Sequence, residues 1–109
     1  MPPFNFGDIL VINFPFAEGV GSKRRPVMIL KDTEDDDLLV CKITSKNYSS
    51  DFDSEIKEWQ FANLLSPSTI RIHKIQTVNN KLIFGKIGQL TRSDKKTVRH
   101  KFIELLMKL

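Results

Sequence analysis

Only at its C-terminal end does this chain space its apolar residues as a helix does. Val98, Phe102, Leu105, Leu106 and Leu109 fall at i, i+4, i+7, i+8 and i+11, one face of an amphipathic helix. Thr91 or Ser93 suits its N-cap, Asp94 its first turn and Lys108 its last. Upstream, apolar residues gather in β-branched and aromatic runs of strand length. Residues 8–14, 26–30, 38–44, 69–75 and 81–90 read as strands. The first three have short polar or glycine-containing connections and predict a meander. Residues 47–54 are polar and small and read as a loop; 59–65 form a short helix or irregular turn. Asn79 and Asn80 read as a turn, and Gly85 and Gly88 inside the last strand mark a bend or bulge. The pattern predicts a mainly β, α+β domain: a small, strongly bent sheet or barrel with one helix packed on it.

At 109 residues there is room for one core, so a single domain spanning 1–109 is expected, and a core of this size makes oligomerisation reasonable. No apolar run approaches the length of a membrane span, and residues 1–10 lack the pattern of a secretion signal, so the expected location is cytoplasmic. Cys41 is the only cysteine, which removes an intramolecular disulfide and a thiolate zinc site. Charge is unevenly distributed. Residues 1–58 hold 7 Lys/Arg against 11 Asp/Glu, and residues 59–109 hold 10 against 2. Lys23, Arg24 and Arg25 form a basic cluster and Glu34–Asp37 an acidic one. The net +4 and the clustering permit a polyanion such as RNA or DNA, as they permit a merely basic surface.

Familiar catalytic signatures are missing. His73 and His100 are the only histidines, and neither has metal-site spacing. The 34–37 run lacks the alternation and glycine of a calcium loop, so neither a metal nor another cofactor is expected. Phosphate-binding glycine loops and serine nucleophile elbows are absent too. What remains is the stretch 7–45. Arg25 offers five donors in a rigid fork suited to phosphodiester oxygens, and Pro26 fixes the backbone beyond it. Thr44 and Ser45 bring hydroxyls to the end of the third strand. If the meander pairs, Arg25 and Thr44 meet at one end of the sheet. The same residues have an ordinary explanation, in which Arg25 pairs with an acid such as Asp51 or Glu55 and Thr44 is simply a strand former.

The motifs resemble a known set. Gly7-Asp8-Ile9, Phe14-Pro15-Phe16 and Ser22-Lys23-Arg24-Arg25-Pro26-Val27 look like the opening of the MazF/PemK family of toxin ribonucleases. Cys41-Lys42-Ile43-Thr44-Ser45 resembles its third strand, and Pro67-Ser68-Thr69-Ile70-Arg71 with Lys74-Ile75 its next one. Lys86-Ile87-Gly88-Gln89-Leu90 resembles its lead into the terminal helix. The resemblance covers nearly the whole chain, in order.

It implies an SH3-like β-barrel with a C-terminal helix, usually homodimeric. It implies metal-independent cleavage of single-stranded RNA, such as mRNA, leaving a 2′,3′-cyclic phosphate and a 5′-OH. Arg25 and Thr44 occupy the family's catalytic positions. Ser45 is expected to support Thr44 or touch the phosphate. Lys23 and Arg24 are expected on the RNA backbone, Phe16 as a stacking or core residue, and Arg71 and His73 on one side of a strand lining the same groove. Trp59 reads first as a core or dimer residue. The implied protein partner is a small acidic antitoxin covering the groove. Two alternatives stand beside this: a dimeric protein-binding toxin of the related gyrase-poison type, and a nucleic-acid-binding relative without nuclease activity.

Overall fold

The computed structural model describes residues 4–15 and 19–109. Six antiparallel strands run β1 (Asp8–Pro15), β2 (Ser22–Asp32), β3 (Asp37–Thr44), β4 (Asp53–Ile56), β5 (Ser68–Asn79) and β6 (Ile83–Gln89), followed by helix α1 (Arg92–Met107). The spatial order is β4-β5-β3-β2-β1-β6, so β1–β3 form the expected meander and the small barrel-like sheet stays open between β4 and β6. Two differences from the sequence reading stand out. The 47–54 loop ends early, because Asp53 and Ser54 join the unassigned Glu55 and Ile56 in the edge strand β4, and the 79–80 turn is a single 3-10 turn over Asn80–Leu82.

Alternation along the central strands sends neighbouring residues to opposite faces. Met28 and Cys41 join a core with Ile9, Ile70 and Ile72 on one face, closed by Val98 and Phe102 of α1 and by Ala62 and Leu64. Their neighbours Val27, Ile29 and Val40 join Leu10, Ile12 and Val78 in a second core on the other face. Burial on both faces accounts for the near-continuous apolar runs of β1 and β2.

Bulges bend the sheet. Against β1, the β6 register skips at Ile87 and at Phe84, each beside one of the two strand glycines. Gly88 has a second reason to be glycine: a Cβ there would lie 2.3 Å from the Ala62 carbonyl oxygen. Asn63, at φ 64°, adds an amide hydrogen bond to the Ile87 carbonyl at 2.9 Å. The far end of the 57–65 segment is tied to α1. Thr91 caps the helix, and the buried Asp94 carboxylate accepts from the backbone N–H groups of Lys57 (3.2 Å) and Glu58 (2.9 Å). Thr91 also donates to the Glu58 carboxylate at 2.6 Å.

The edge strand β4 is short and polar, and an ion pair fastens it. Arg71 Nε donates to the buried Asp53 carboxylate at 2.9 Å. Burial pushes the Asp53 pKa up, but hydrogen bonds from Ser50 and Arg71 outweigh it and hold the carboxyl below its ordinary range.

Two outcomes are expected. Asp94→Ala leaves two backbone donors without their charged acceptor, costing about 2–3 kcal/mol, read as a lower melting temperature. A carboxyl with a depressed folded pKa stabilises the fold above its unfolded value and loses that contribution as pH falls through the folded one. Asp53→Asn should therefore cost about 3 kcal/mol at neutral pH. The gap to wild type should narrow as pH drops below about 4, measured by denaturant unfolding across pH.

Candidate functional site

Antiparallel pairing of β2 with β3 sets Val27 opposite Lys42 and Met28 opposite Cys41. Continued toward the chain ends, this register brings Arg25 across from Thr44. β1 supports the other side of Arg25, which pairs with Ile12. Both side chains therefore project from neighbouring strand ends, where backbone pairing fixes the Cα positions and the side chains face solvent.

They line a groove of about 500 Å³ whose walls also include Lys23, Arg24, Lys42, Ser45 and Lys46. Five cations line it, and among the described residues no carboxylate does. Among the described residues no acid is paired with Arg25; Asp53 is taken by Arg71, and Asp8 by Lys86 at 3.2 Å. Thr44 Oγ1 accepts from the Lys46 backbone N–H at 3.1 Å. That bond orients the hydroxyl and leaves its own proton to donate to an incoming acceptor. Arg24 is held sideways: its guanidinium lies 3.6 Å over the Phe84 ring and Nε donates to Asn13 at 3.3 Å. The opposite wall of the groove is Asn63, Leu64, Leu65 and Ile87, the segment anchored through Gly88 and Asp94.

Five of the residues singled out from the sequence thus converge: Lys23, Arg24, Arg25, Thr44 and Ser45. Phe16 lies outside the described residues. Arg71 and His73 do not line this groove. Cys41 pairs with Ile75 and Lys42 with Arg71, so residues 72–74 form an insertion in β5, while Ile70 and Ile72 stay buried and Arg71 and His73 lie off that core. Arg71 turns to Asp53 and the Tyr48 ring, and exposed His73 lies beside Phe52, ring centroids 5.2 Å apart. Trp59 is half-buried and packs on the core that includes α1.

Lys42, Lys46, Asn63 and Leu65 escaped the sequence reading. Lys42 had a signal, being the exposed position between buried Cys41 and Ile43 two residues before Thr44. The two on the 57–65 segment had none, since their place depends on a contact with β6. Other chemistry at the site is limited. Burial pushes the Cys41 thiol up to about 12, so it stays protonated and inert. Among the described residues no cluster of three or more His, Cys, Asp or Glu is arranged to hold a metal ion.

Comparisons with known proteins bear on this arrangement. Among solved structures, the fold is similar to a MazE–MazF complex from Deinococcus radiodurans (TM-score 0.78, 16% identity, 97% of each chain). It is also similar to an endoribonuclease in complex with its cognate antitoxin from a mycobacterial species (0.75, 12%, 97% of this chain and 95% of that one). A third is the Mycobacterium tuberculosis toxin MazF-mt6 (0.70, 18%, 89% and 95%). No curated protein matches by sequence. The family model for PemK-like, MazF-like toxins of type II toxin–antitoxin systems matches residues 5–106, and the chain belongs to that family.

Proposed function

We propose that this chain is the toxin of a type II pair and a metal-independent endoribonuclease acting in the cytoplasm on single-stranded RNA such as mRNA. The observation that carries the reading is the groove that Arg25 and Thr44 line together beyond the last β2–β3 pair, whose charged walls among the described residues are all cations. A phosphodiester fits such a groove as a solvated basic face does not: the fork of Arg25 matches two phosphate oxygens, and the Thr44 hydroxyl donates to the same group.

In the proposed reaction the ribose 2′-oxygen attacks the adjacent phosphorus. The bond to the 5′-oxygen breaks, the 2′-OH loses its proton and the leaving oxygen gains one. The products are a 2′,3′-cyclic phosphate and a 5′-OH. A guanidinium keeps its proton at any working pH, so the role of Arg25 is to stabilise the negative charge that grows on the phosphate oxygens. Ser45 adjoins Thr44 as its support, and Lys23, Lys42 and Lys46 hold the backbone by charge.

The same cationic groove suits an acidic antitoxin segment, and two of the structural relatives are complexes with a MazE or a cognate antitoxin. A homodimer follows the family pattern. Val98 and Phe102 are buried, but Ile103, Leu106, Met107 and Leu109 at the end of the helical region are 52–94% exposed, a surface a second copy would cover.

Four results are expected. Long single-stranded RNA in excess EDTA is cut to fragments ending in cyclic phosphate. Arg25→Ala lowers the rate at least about 100-fold, the cost of removing one preorganised charge-stabilising donor. Thr44→Val lowers it by about 10-fold or more, the worth of one hydrogen bond to a charged group. Binding weakens steeply with salt as counterions stop being released. A folded protein that binds RNA without cutting it would instead indicate a nucleic-acid-binding relative, and one that neither binds nor cuts a protein-binding toxin. Separately, Leu106→Glu should shift the protein toward monomer in light scattering and leave the fold intact.

A further inference from the structure

The catalytic groove does not end at Ser45. A second depression of about 490 Å³ adjoins it, sharing Ser45, Lys46 and Ser68, and its walls include Tyr48, Glu55 and Trp59. Tyr48 lies in the connection between β3 and β4, where neither strand pairing nor core packing accounts for an aromatic ring. Its ring is nevertheless held. The Arg71 guanidinium lies 3.7 Å from the ring centroid and covers one face, and Asp53 fixes that guanidinium through its Nε at 2.9 Å. Tyr48 remains 36% exposed and fronts the cavity. A ring clamped on one side by a buried ion pair, and open beside a phosphate-binding groove, is a preorganised stacking platform.

We propose that Tyr48 stacks a nucleobase of the single-stranded RNA, the base lying on the Ser45 side of the scissile phosphate. The inference rests on the ribonuclease reading for its ligand. Flat π-faces bind unstacked bases regardless of sequence, and the guanidinium beneath limits the entropy lost when the ring is engaged. Lys46, common to both depressions, bridges them along the path a sugar–phosphate backbone takes between the two subsites. Arg71 thereby acquires a role without touching RNA: it positions the ring.

The test uses full-length protein and short 2′-O-methyl RNA oligomers, which lack the attacking hydroxyl and report binding alone. Tyr48→Leu is expected to weaken binding by roughly 5- to 100-fold, the worth of one base–aromatic stack. Tyr48→Phe keeps the ring and should bind nearly as wild type does. An abasic site is then walked along the oligomer; at one position it should erase the difference between wild type and Tyr48→Leu. Equal weakening of intact and all abasic oligomers, no weakening, or a Phe variant as poor as Leu would overturn the proposal. Parallel cleavage of the all-ribose oligomer separates the two readings. Cleavage with no Tyr48 dependence of binding removes the platform and leaves the nuclease. Tyr48-dependent binding without cleavage removes the nuclease and leaves the platform. Wild-type protein that binds no RNA overturns both.

Discussion

With Val27 opposite Lys42, the end of β3 meets the start of β2, and Arg25 comes level with Thr44. Register here is strongly determined, because a slip of one residue would move each buried side chain to the opposite face of the sheet. Such a slip would drive Met28 and Cys41 out of one core and Val27 and Val40 out of the other, each into space packed for different side chains. The two cores therefore hold the geometry in which Arg25 and Thr44 line one groove. The polar side chains occupy strand ends just past the last buried pair, so they gain the precision of the sheet without the desolvation cost of its interior.

Two arginines show how placement decides use. Arg71 is largely buried and paired with Asp53, so its charge is spent on holding the edge strand β4 and the Tyr48 ring. Arg25 is exposed, with no acid partner among the described residues. Only the second keeps a full set of donors for an external anion. The ordinary explanation of Arg25 from sequence, a pairing with Asp51 or Glu55, is not realised; the acid drawn into a pair is Asp53, and it takes the arginine opposite it across β4 and β5.

Legibility followed the range of the forces involved. The meander, the terminal helix and the proximity of Arg25 to Thr44 rest on alternation, helical spacing and neighbouring-strand pairing, all written locally. β4 was illegible because Asp-Ser-Glu-Ile has no strand propensity of its own; its order comes from β5 and the Asp53–Arg71 pair. Arg71 and His73 do not reach the groove because their side of β5 faces Tyr48, Phe52 and Asp53, a contact that depends on the pairing of β4. The helix stripe meets the core at Val98, Phe102 and Leu105, while Leu106 and Leu109 stay exposed. The wall carrying Asn63 and Leu65 left no local trace, because Gly88 and Asp94 hold it from elements 25 to 37 residues away.

A groove whose charged lining, among the described residues, is all cationic has an energetic consequence of its own. Lys23, Arg24, Arg25, Lys42 and Lys46 repel one another in the free protein, and solvent and counterions screen that repulsion only in part. Any polyanion entering the groove relieves it, so a ligand gains both from new hydrogen bonds and from strain the fold already holds. By linkage, whatever binds there must also stabilise the native state. An RNA strand and an acidic protein segment would draw on this same electrostatic reserve, and since one groove cannot neutralise both, they would exclude each other even with few direct contacts in common. Competition for charge thus offers a physical basis on which an acidic partner could silence a nuclease of this architecture.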